Sequence, residues 1–419
     1  MIGYLDIRTL FNDIGMFLCT FCKRCKQQVK EFAECQKALE LSHQDLSTKK
    51  TQFSIQINQL NQEIKDLKDS LATETTQAST QIAKLNQEIT DLKTEIDDLD
   101  KRFRIIANTD GRIWERPHNS DQKLPIFRPL ESGVAKIIAV LNLKGGVGKT
   151  TLTTYIGAEL HRRYNSNNQS NRVLLLDLDY QGSLSAKCLR PDALTHAKLA
   201  NSLFESQDTK EICKIDNISC IGADQRFQIF PTNEIFSDLE TQLMVRWLID
   251  HKSYDIRYQL RSVLHDATIQ QAFNYILLDC PPRLTTASIN ALTAADYVLI
   301  PTILDKTSAD AVTRLLQWLR ILKLGSHETP PICPQLEILG IVGNKVGRRD
   351  LTISEKNTLN ELKDQALNAW RAHTHIFSTY IRQVGSFAAH NFAANPQIPN
   401  IVAEDFTLLV DKILERLPL

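Results

Sequence analysis

The stretch Lys136–Leu152, KIIAVLNLKGGVGKTTL, decides the fold of this 419-residue chain. It begins with the apolar run Ile137–Val140, which is typical of a buried parallel strand. A glycine-rich loop follows, and after it Leu152, Ile156 and Leu160 recur at helical spacing. A strand, a glycine-rich loop and a helix in this order are the structural context of a phosphate-binding loop.

The loop residues suit phosphate for physical reasons. Glycines let backbone N–H groups turn toward phosphate oxygens without a Cβ in the way, and the N-terminus of the following helix adds partial positive charge. Lys149 can reach the β- and γ-phosphates, and the Thr150 hydroxyl suits a Mg²⁺ ion that bridges them. The alternative, a glycine-rich turn with nothing bound, is disfavoured by the flanking strand and helix. The candidate binding residues are Gly145, Gly146, Val147, Gly148, Lys149, Thr150 and Thr151.

The loop opens with a second lysine, Lys144, which is unusual for the general P-loop pattern. The sequence KGGVGKTT resembles the deviant Walker A loop of the ParA/MinD family of ATPases. The resemblance extends from about residue 135 to the C-terminus. It implies ATP and Mg²⁺ as cofactors, slow hydrolysis and an ATP-dependent homodimer. In that family the first lysine reaches phosphates bound by the partner subunit, and Lys144 matches that lysine.

Two further motifs match the family at the ends of apolar runs. The run Val173–Gly182, VLLLDLDYQG, resembles the next family motif, with Tyr180 in place of the usual proline. By position, Asp179 is the acid that orients the attacking water; its alternative role is to cap a helix or turn. The run Tyr275–Pro282, YILLDCPP, resembles the family's Walker B, in which Asp279 would hold magnesium directly or through water.

Later strands complete the predicted pocket. Pro301 and Thr302 stand where the family lines its nucleotide pocket, and Asn344 matches an asparagine that reads the adenine edge. Strands that alternate with helices predict an α/β fold, a doubly wound and mostly parallel sheet with the ligand at the carboxyl ends of its strands. Strands are predicted at Ile218–Ile221, Phe227–Phe230, Tyr297–Pro301 and Leu336–Asn344; helices are predicted at Glu234–Leu248 and Ile256–Phe273, with a packed closing helix that runs from about Phe406 to Leu417.

Residues 32–103 show the heptad pattern of a long α-helical coiled coil. Apolar residues alternate at spacings of four and three among charged and polar ones, with neither Pro nor Gly. A parallel or antiparallel homodimer is the favoured arrangement, and one helix that folds back on its own chain is the alternative. The apolar positions are Phe53, Ile57, Leu60, Ile64, Leu67, Leu71, Ile82, Leu85, Ile89, Leu92, Ile96, Leu99 and Phe103.

The segments on either side of the coiled coil are less regular. Residues 1–31 form an amphipathic helical head, which either lies in a membrane interface or packs on a partner helix; we favour packing because charge on the polar face is thin. Cys19, Cys22 and Cys25 lack the second pair that would complete a metal site. Residues 104–134, rich in Pro and Gly turns but also apolar, are predicted to pack along the ATPase domain, residues 135–419; a small recognition segment is the alternative.

Composition sets further bounds. Lys plus Arg and Asp plus Glu both number 49, so bulk charge gives no argument for nucleic-acid binding, although a local basic patch stays open. Nine scattered cysteines and no secretory leader predict a reducing, cytoplasmic setting. No apolar run approaches the ~20 residues of a membrane-spanning helix. Cys280 has no visible His–Asp partner and is predicted to be a small buried side chain.

Three hypotheses cover what an ATP switch of this kind controls. The first is DNA-linked positioning or partition through scattered basic residues, each of which is otherwise an ordinary surface charge. The second is a scaffold or signalling role, in which the coiled coil recruits a protein partner. The third, disfavoured, is membrane positioning through residues 1–30. The candidate DNA contacts are Arg314, Arg320, Lys323, Lys345, Arg348, Arg349 and Arg382.

Overall fold

A computed structural model describes residues 81–97 (without 83 and 95), 113–115, 135–163, 171–205, 218–249, 255–325, 330–347, 350–384 and 390–417. The chain divides into two compact units, Met1–Asp110 and Gly111–Leu419. The division falls inside the predicted connector, residues 104–134. None of the helices described is long and apolar enough to cross a membrane.

The described part of the first unit is helical. Residues 81–82, 84–94 and 96–97 are in helix, and the apolar heptad positions among them are half-buried while the residues between are exposed. The heptad pattern predicts a stripe of this spacing, and pairing of the helix in a coiled coil stays a prediction. The remainder of the predicted coiled coil, the head at residues 1–31 and Cys19, Cys22 and Cys25 lie outside the described residues. The half-buried positions are Ile82, Leu85, Ile89, Leu92 and Ile96.

The second unit is built on one sheet. Its strands are β1 (Lys136–Val140), β2 (Val173–Asp177), β3 (Ser219–Cys220), β4 (Phe227–Phe230), β5 (Tyr275–Asp279), β6 (Tyr297–Thr302), β7 (Glu337–Val346) and β8 (Ile381–Arg382). Its helices are α1 (Lys149–Arg162), α2 (Ser183–Cys188), α3 (Pro191–His196), α4 (Ser202–Glu205), α5 (Ile235–Ile249), α6 (Gln259–Leu264), α7 (Ala267–Ala272), α8 (Thr286–Ala294), α9 (Lys306–Leu324), α10 (Ile353–Trp370) and α11 (Asn400–Leu414). Short 3₁₀ turns cover Ile113–Glu115 and Ile256–Tyr258.

The sheet order is β3-β4-β2-β5-β1-β6-β7-β8, and every pairing is parallel except that of β3 with β4. All residues of β1, β2 and β6 are buried, which requires helices on both faces of the sheet. The predicted fold of the ATPase domain, a mostly parallel α/β sheet, is therefore confirmed. Its apolar strand runs are the local signal that made the prediction possible.

Strand register brings the predicted motifs to one edge of the sheet. Asp279, the last residue of β5, lies opposite Val140 of β1 on one side and Asp177 of β2 on the other. The phosphate-loop candidate follows β1 directly. The carboxyl ends of three neighbouring strands thus converge where a parallel sheet places its ligands.

Two predicted elements differ in the structure. The helix predicted over Ile256–Phe273 is divided into a 3₁₀ turn, α6 and α7, because Asp266 caps a new helix start with a hydrogen bond from the Thr268 backbone N–H. The strand predicted over Ile218–Ile221 is reduced to Ser219–Cys220, an antiparallel edge strand. The closing helix is packed, as predicted: α11 buries Phe406, Leu409, Val410 and Ile413, together with Val402.

Candidate active site

The loop between β1 and α1 has the backbone of a phosphate cradle. Gly146 and Gly148 have φ values of 74° and 92°, a region that side chains with a Cβ rarely adopt. Gly148 is the N-cap of α1, and no side chain caps this helix end. The N-terminal backbone N–H groups of α1 are therefore available to an anion.

Lys149 and three aspartates meet beside this loop. Lys149 is only 7% exposed; burial raises the pKa of both Asp179 and Asp279, and the ammonium of Lys149 is near enough to each to oppose the rise. Asp279 is 1% exposed and accepts a long hydrogen bond, 3.4 Å, from the Thr153 hydroxyl. Its other oxygen, Oδ2, has no hydrogen-bond partner among the described residues. A buried carboxylate oxygen without a partner is the feature expected where a cation belongs.

The pKa shifts of these carboxyl groups have a common cause. Burial raises the pKa of Asp279 well above its usual value, and the neighbouring Asp177 raises it further, while a hydrogen bond from Thr150 opposes both. Burial likewise raises the pKa of Asp177 to about 7, although the backbone N–H and hydroxyl of Ser185 donate to it at 2.8 and 2.6 Å. The paired carboxyl groups thus favour a positive charge between or beside them.

Magnesium fits this donor set. Thr150 and Asp279, the two predicted metal ligands, lie next to each other, and Asp279 carries the unpartnered oxygen. No three His, Cys, Asp or Glu side chains in the described ranges form a metal site by themselves. Mg²⁺ is usually held by one or two carboxylates together with phosphate oxygens, so this set is the protein's share of such a site.

Asp179, the predicted water-orienting acid, follows β2 and is partly exposed. Burial raises its pKa, and a hydrogen bond from the Gln181 backbone N–H at 3.2 Å lowers it. The turn residue Gly182 has φ 63° and is the N-cap of α2. The predicted residue therefore stands at the edge of the carboxylate cluster, with access to solvent.

Lys144 is turned away from the cradle in this single chain. Its ammonium lies 3.2 Å from the Asp305 carboxylate and donates to the hydroxyls of Thr307 and Ser308 at 2.6 and 2.7 Å. Asp305 is also the N-cap of α9, where it accepts from the Ser308 backbone N–H. Sequence reasoning missed this partner, although an aspartate three residues before a serine at a helix start is a recognisable cap signal.

The predicted pocket residues lie on the other side of the loop. Asn344 is 3% exposed, and its side-chain amide donates to the Val147 carbonyl at 2.7 Å. Pro301 and Thr302 are buried at the end of β6, where the Pro301 carbonyl accepts from Asn142. Asn142 was missed because its partner lies 159 residues further along the chain. Both asparagines therefore fix the shape of the loop, and the adenine-reading role of Asn344 stays a prediction.

The candidate DNA contacts differ in exposure and in charge pairing. Arg314 and Lys345 are exposed, whereas Arg320 is half-buried. Lys323 pairs with Glu337, and Arg382 pairs with Asp405 at 2.8 Å. Arg348 and Arg349 lie outside the described residues. Cys280 is fully buried, as predicted.

Comparisons with known proteins agree with this geometry. A family profile described as an AAA domain matches residues 135–329. The sporulation initiation inhibitor protein Soj of Bacillus subtilis is 30% identical over 190 residues, which are 45% of this chain and 67% of Soj. The chain belongs to the ParA/MinD-type P-loop ATPases. The chromosome partitioning protein ParA of Caulobacter vibrioides is 28% identical over 238 residues, 57% of this chain and 76% of that ParA.

Solved structures support the same fold for this ParA/MinD-type chain. Apo McdA of Cyanothece superposes with a TM-score of 0.52 at 20% identity, over 68% of this chain and all of McdA. A McdA variant solved as an ATP complex gives a TM-score of 0.50 at 19% identity, over 67% of this chain and 96% of McdA. At this identity the likeness shows the fold of the ATPase unit.

Proposed function

We propose that the chain binds ATP with Mg²⁺ and hydrolyses it slowly, as a dimeric switch that positions or partitions DNA or another macromolecular cargo. The observation that carries the proposal is the convergence of the glycine cradle, Lys149, Thr150 and the unpartnered oxygen of Asp279 at one sheet edge. Membership of the ParA/MinD type supports ATP as the nucleotide. The partition proteins among the relatives support DNA as the first cargo to test.

Each residue has a part in the proposed reaction. The cradle and the Lys149 ammonium bind and orient the phosphates and offset charge on the transferring phosphoryl group. Asp179, partly exposed beside Lys149, orients the water. Thr150 and Asp279 would hold magnesium, which would supply neutralisation of phosphate charge. Lys144 leaves Asp305 and reaches phosphates bound by the partner subunit.

A second candidate function rests on the described helix at residues 81–97. Its apolar heptad stripe is half-buried, and a stripe with this spacing suits pairing with another helix. A coiled coil there would dimerise the chain or recruit a protein partner, which makes a scaffold or signalling ATPase the alternative. Membrane positioning through residues 1–30 depends on a segment outside the described residues.

The test is duplex-DNA binding by an Asp179→Ala protein over a salt series, with ATP and without nucleotide. The variant keeps the phosphate cradle and loses the water-orienting acid, so we expect it to accumulate the ATP state. ATP-dependent binding that weakens steeply with salt is the expected result. Lys144→Ala is the matched control, since it should bind ATP and fail to dimerise. An Asp179→Ala dimer that binds no DNA would favour the scaffold function.

A further inference from the structure

Residues that the proposed reaction does not use contact the Walker B loop, Cys280–Thr285, and the start of the helix after it. This loop connects Asp279 to α8. One hydrogen bond involves Glu240 on α5, and the other involves Trp114 in the connector. Neither residue belongs to a motif that the sequence indicated.

The first contact joins the Glu240 carboxylate to the start of α8. Glu240 Oε1 accepts from the Ala287 backbone N–H at 2.7 Å, and the Glu240 carbonyl accepts from the Thr286 hydroxyl at 3.4 Å. Burial raises the pKa of Glu240 to about 7, hydrogen bonds from Thr285 and Ala287 oppose the shift, and the charge of Asp179 adds to it. Glu240 is therefore hydrogen-bonded to the start of α8 and lies within electrostatic range of Asp179.

The second contact joins the Trp114 indole to the loop itself. Trp114 is 4% exposed, and its Nε1–H donates to the Leu284 carbonyl at 3.1 Å. Its ring stacks on Trp247, with centroids 5.9 Å apart and planes 12° from parallel. Trp247 lies seven residues after Glu240 on α5, two helical turns along the same face. Helix α5 therefore supports both contacts, through Glu240 directly and through the stacking of Trp114 on Trp247.

Arg257 locks the connector backbone into this assembly. Its guanidinium donates to the Trp114 carbonyl at 2.9 Å and lies 5.1 Å from the centre of the Trp247 ring. Arg257 is 1% exposed, and Asp255 balances its charge through a hydrogen bond of 2.6 Å. Arg257 is buried, its charge is balanced, and it contacts both indole residues. It therefore holds Ile113–Glu115 in place more strongly than a surface contact would.

We propose that these residues form an outer clamp, made of Trp114, Glu240, Trp247 and Arg257, which couples the Walker B loop to the connector. We expect the loop that follows Asp279 to change its order when nucleotide binds, as segments that contact a nucleotide's phosphates and Mg²⁺ do in other switch proteins. Because Leu284 and Ala287 are hydrogen-bonded to Trp114 and Glu240, that change reaches the connector at Ile113–Glu115. Trp114 and Glu240 are positioning residues. The proposal rests on the proposed binding of ATP.

The test is hydrogen exchange on the full chain, with and without Mg²⁺ and a non-hydrolysable ATP analogue. In the wild type, we expect exchange to slow together in the peptide that contains Ile113–Glu115 and in the loop peptide 280–287. The connector change should be about fivefold, the effect of strengthening one hydrogen bond. Trp114→Phe keeps a ring but loses the N–H donor, so its loop peptide should respond while its connector peptide does not.

Matched variants separate coupling from folding. Trp370→Phe makes the same exchange of side chains on α10 and should behave as wild type. Glu240→Ala should uncouple the two peptides, and Glu240→Gln should restore coupling because its amide oxygen can still accept from Ala287. If Trp114→Phe does not fold, a Trp318→Phe/Trp370→Phe protein leaves only the stacked pair to report, since the chain has four tryptophans. Its emission should shift on addition of the analogue.

The outcomes distinguish the two proposals. A wild-type loop peptide that responds while the connector peptide does not would overturn the clamp and leave ATP binding intact. Analogue binding measured by calorimetry with an unresponsive loop would also overturn the clamp. The absence of analogue binding would overturn the proposed function, and the clamp with it.

Discussion

The ion pair of Lys144 with Asp305 would restrain the dimer contact that we propose for Lys144. In the free chain its ammonium is held by Asp305 and two hydroxyls. Burial acts to raise the pKa of Asp305, but hydrogen bonds from Thr307, Ser308 and Lys144 outweigh it and lower the pKa to about 2. The pair is partly exposed, at 26% and 42% for the two side chains, so solvent limits it to about 1 kcal/mol or less.

Asp305→Asn should therefore favour the ATP-dependent dimer. Asparagine still caps α9 but loses the charge that retains Lys144. We expect up to about fivefold tighter dimerisation in an Asp179→Ala background, measured by sedimentation velocity with ATP, because a competing contact of ~1 kcal/mol is removed. Asp266→Asn, which changes the N-cap of α7 in the same way, is the control. Unchanged dimerisation in Asp305→Asn would show that Asp305 does not hold Lys144 back.

Asp296 gives a pH-dependent term in stability. It is 6% exposed and accepts from the Ile137 backbone N–H at 2.9 Å, at the start of the strand that leads into the phosphate cradle. Burial raises its pKa to about 6, although that hydrogen bond and the charges of Lys136 and Arg261 oppose the shift. A raised folded-state pKa means that the folded chain holds a proton that the unfolded chain has released.

Wild-type stability should thus fall as pH rises from ~4 to 6, by about 3 kcal/mol from this group. Asp296→Asn keeps an acceptor for Ile137 and cannot ionise, so its stability should depend less on pH in this window. Urea unfolding at pH 4.5 and 6.5 measures the difference, with the exposed Asp192→Asn as control. Equal pH dependence in wild type and Asp296→Asn would contradict the assignment.

At the scale of elements, the loop between β1 and α1 depends on the absence of one Cβ. A Cβ on Gly148 would lie 2.0 Å from Asn344 Nδ2, and its φ of 92° is itself strained for other residues. Gly148→Ala must move Asn344 off the Val147 carbonyl as well as adopt that backbone. We expect a loss of about 2–3 kcal/mol in unfolding free energy, the sum of a strained backbone and a broken hydrogen bond.

Gly347→Ala is the matched control, because a Cβ there meets nothing within 4 Å. Urea unfolding gives the stability of both variants, and calorimetry with an ATP analogue gives their binding. Gly148→Ala should lose binding and Gly347→Ala should keep it. If the two variants are equally stable and bind equally, then Asn344 does not brace the loop.

The elements that could be predicted from sequence are those whose signals lie in contiguous residues. The apolar runs of β1, β2 and β5 and the glycines between β1 and α1 are contiguous signals, so the sheet and the phosphate loop follow from sequence. The contacts that finish the site join distant residues: 161 positions separate Lys144 from Asp305, and 170 separate Trp114 from Leu284. The predicted helix Ile256–Phe273 was wrong because helical spacing outweighed the cap at Asp266, which restarts the helix.

At the scale of the whole molecule, the two proposed dimer contacts fall in different units of the chain. The second unit, Gly111–Leu419, is compact and contains the complete described site. The first unit, Met1–Asp110, contains the apolar stripe that begins at Ile82. If the stripe pairs chains as a coiled coil, it does so without nucleotide, whereas the dimer contact proposed for Lys144 would require ATP.

Removal of residues 1–110 should therefore separate the two contacts. We expect the full chain to be a dimer in the absence of nucleotide, and the 111–419 fragment to be a monomer that dimerises with ATP once Asp179→Ala is present. Light scattering coupled to size exclusion measures both.

Ile89→Asp/Leu92→Asp in the full chain is the point-mutant counterpart, with Glu88→Lys on the exposed face as control. A full chain that is monomeric without nucleotide would exclude the coiled-coil dimer, and a nucleotide-free dimer of the fragment would place a constitutive contact within the second unit. Either result would change which unit a partner must recognise, because a constitutive pair presents its partner surface at all times and an ATP-dependent pair only in one state.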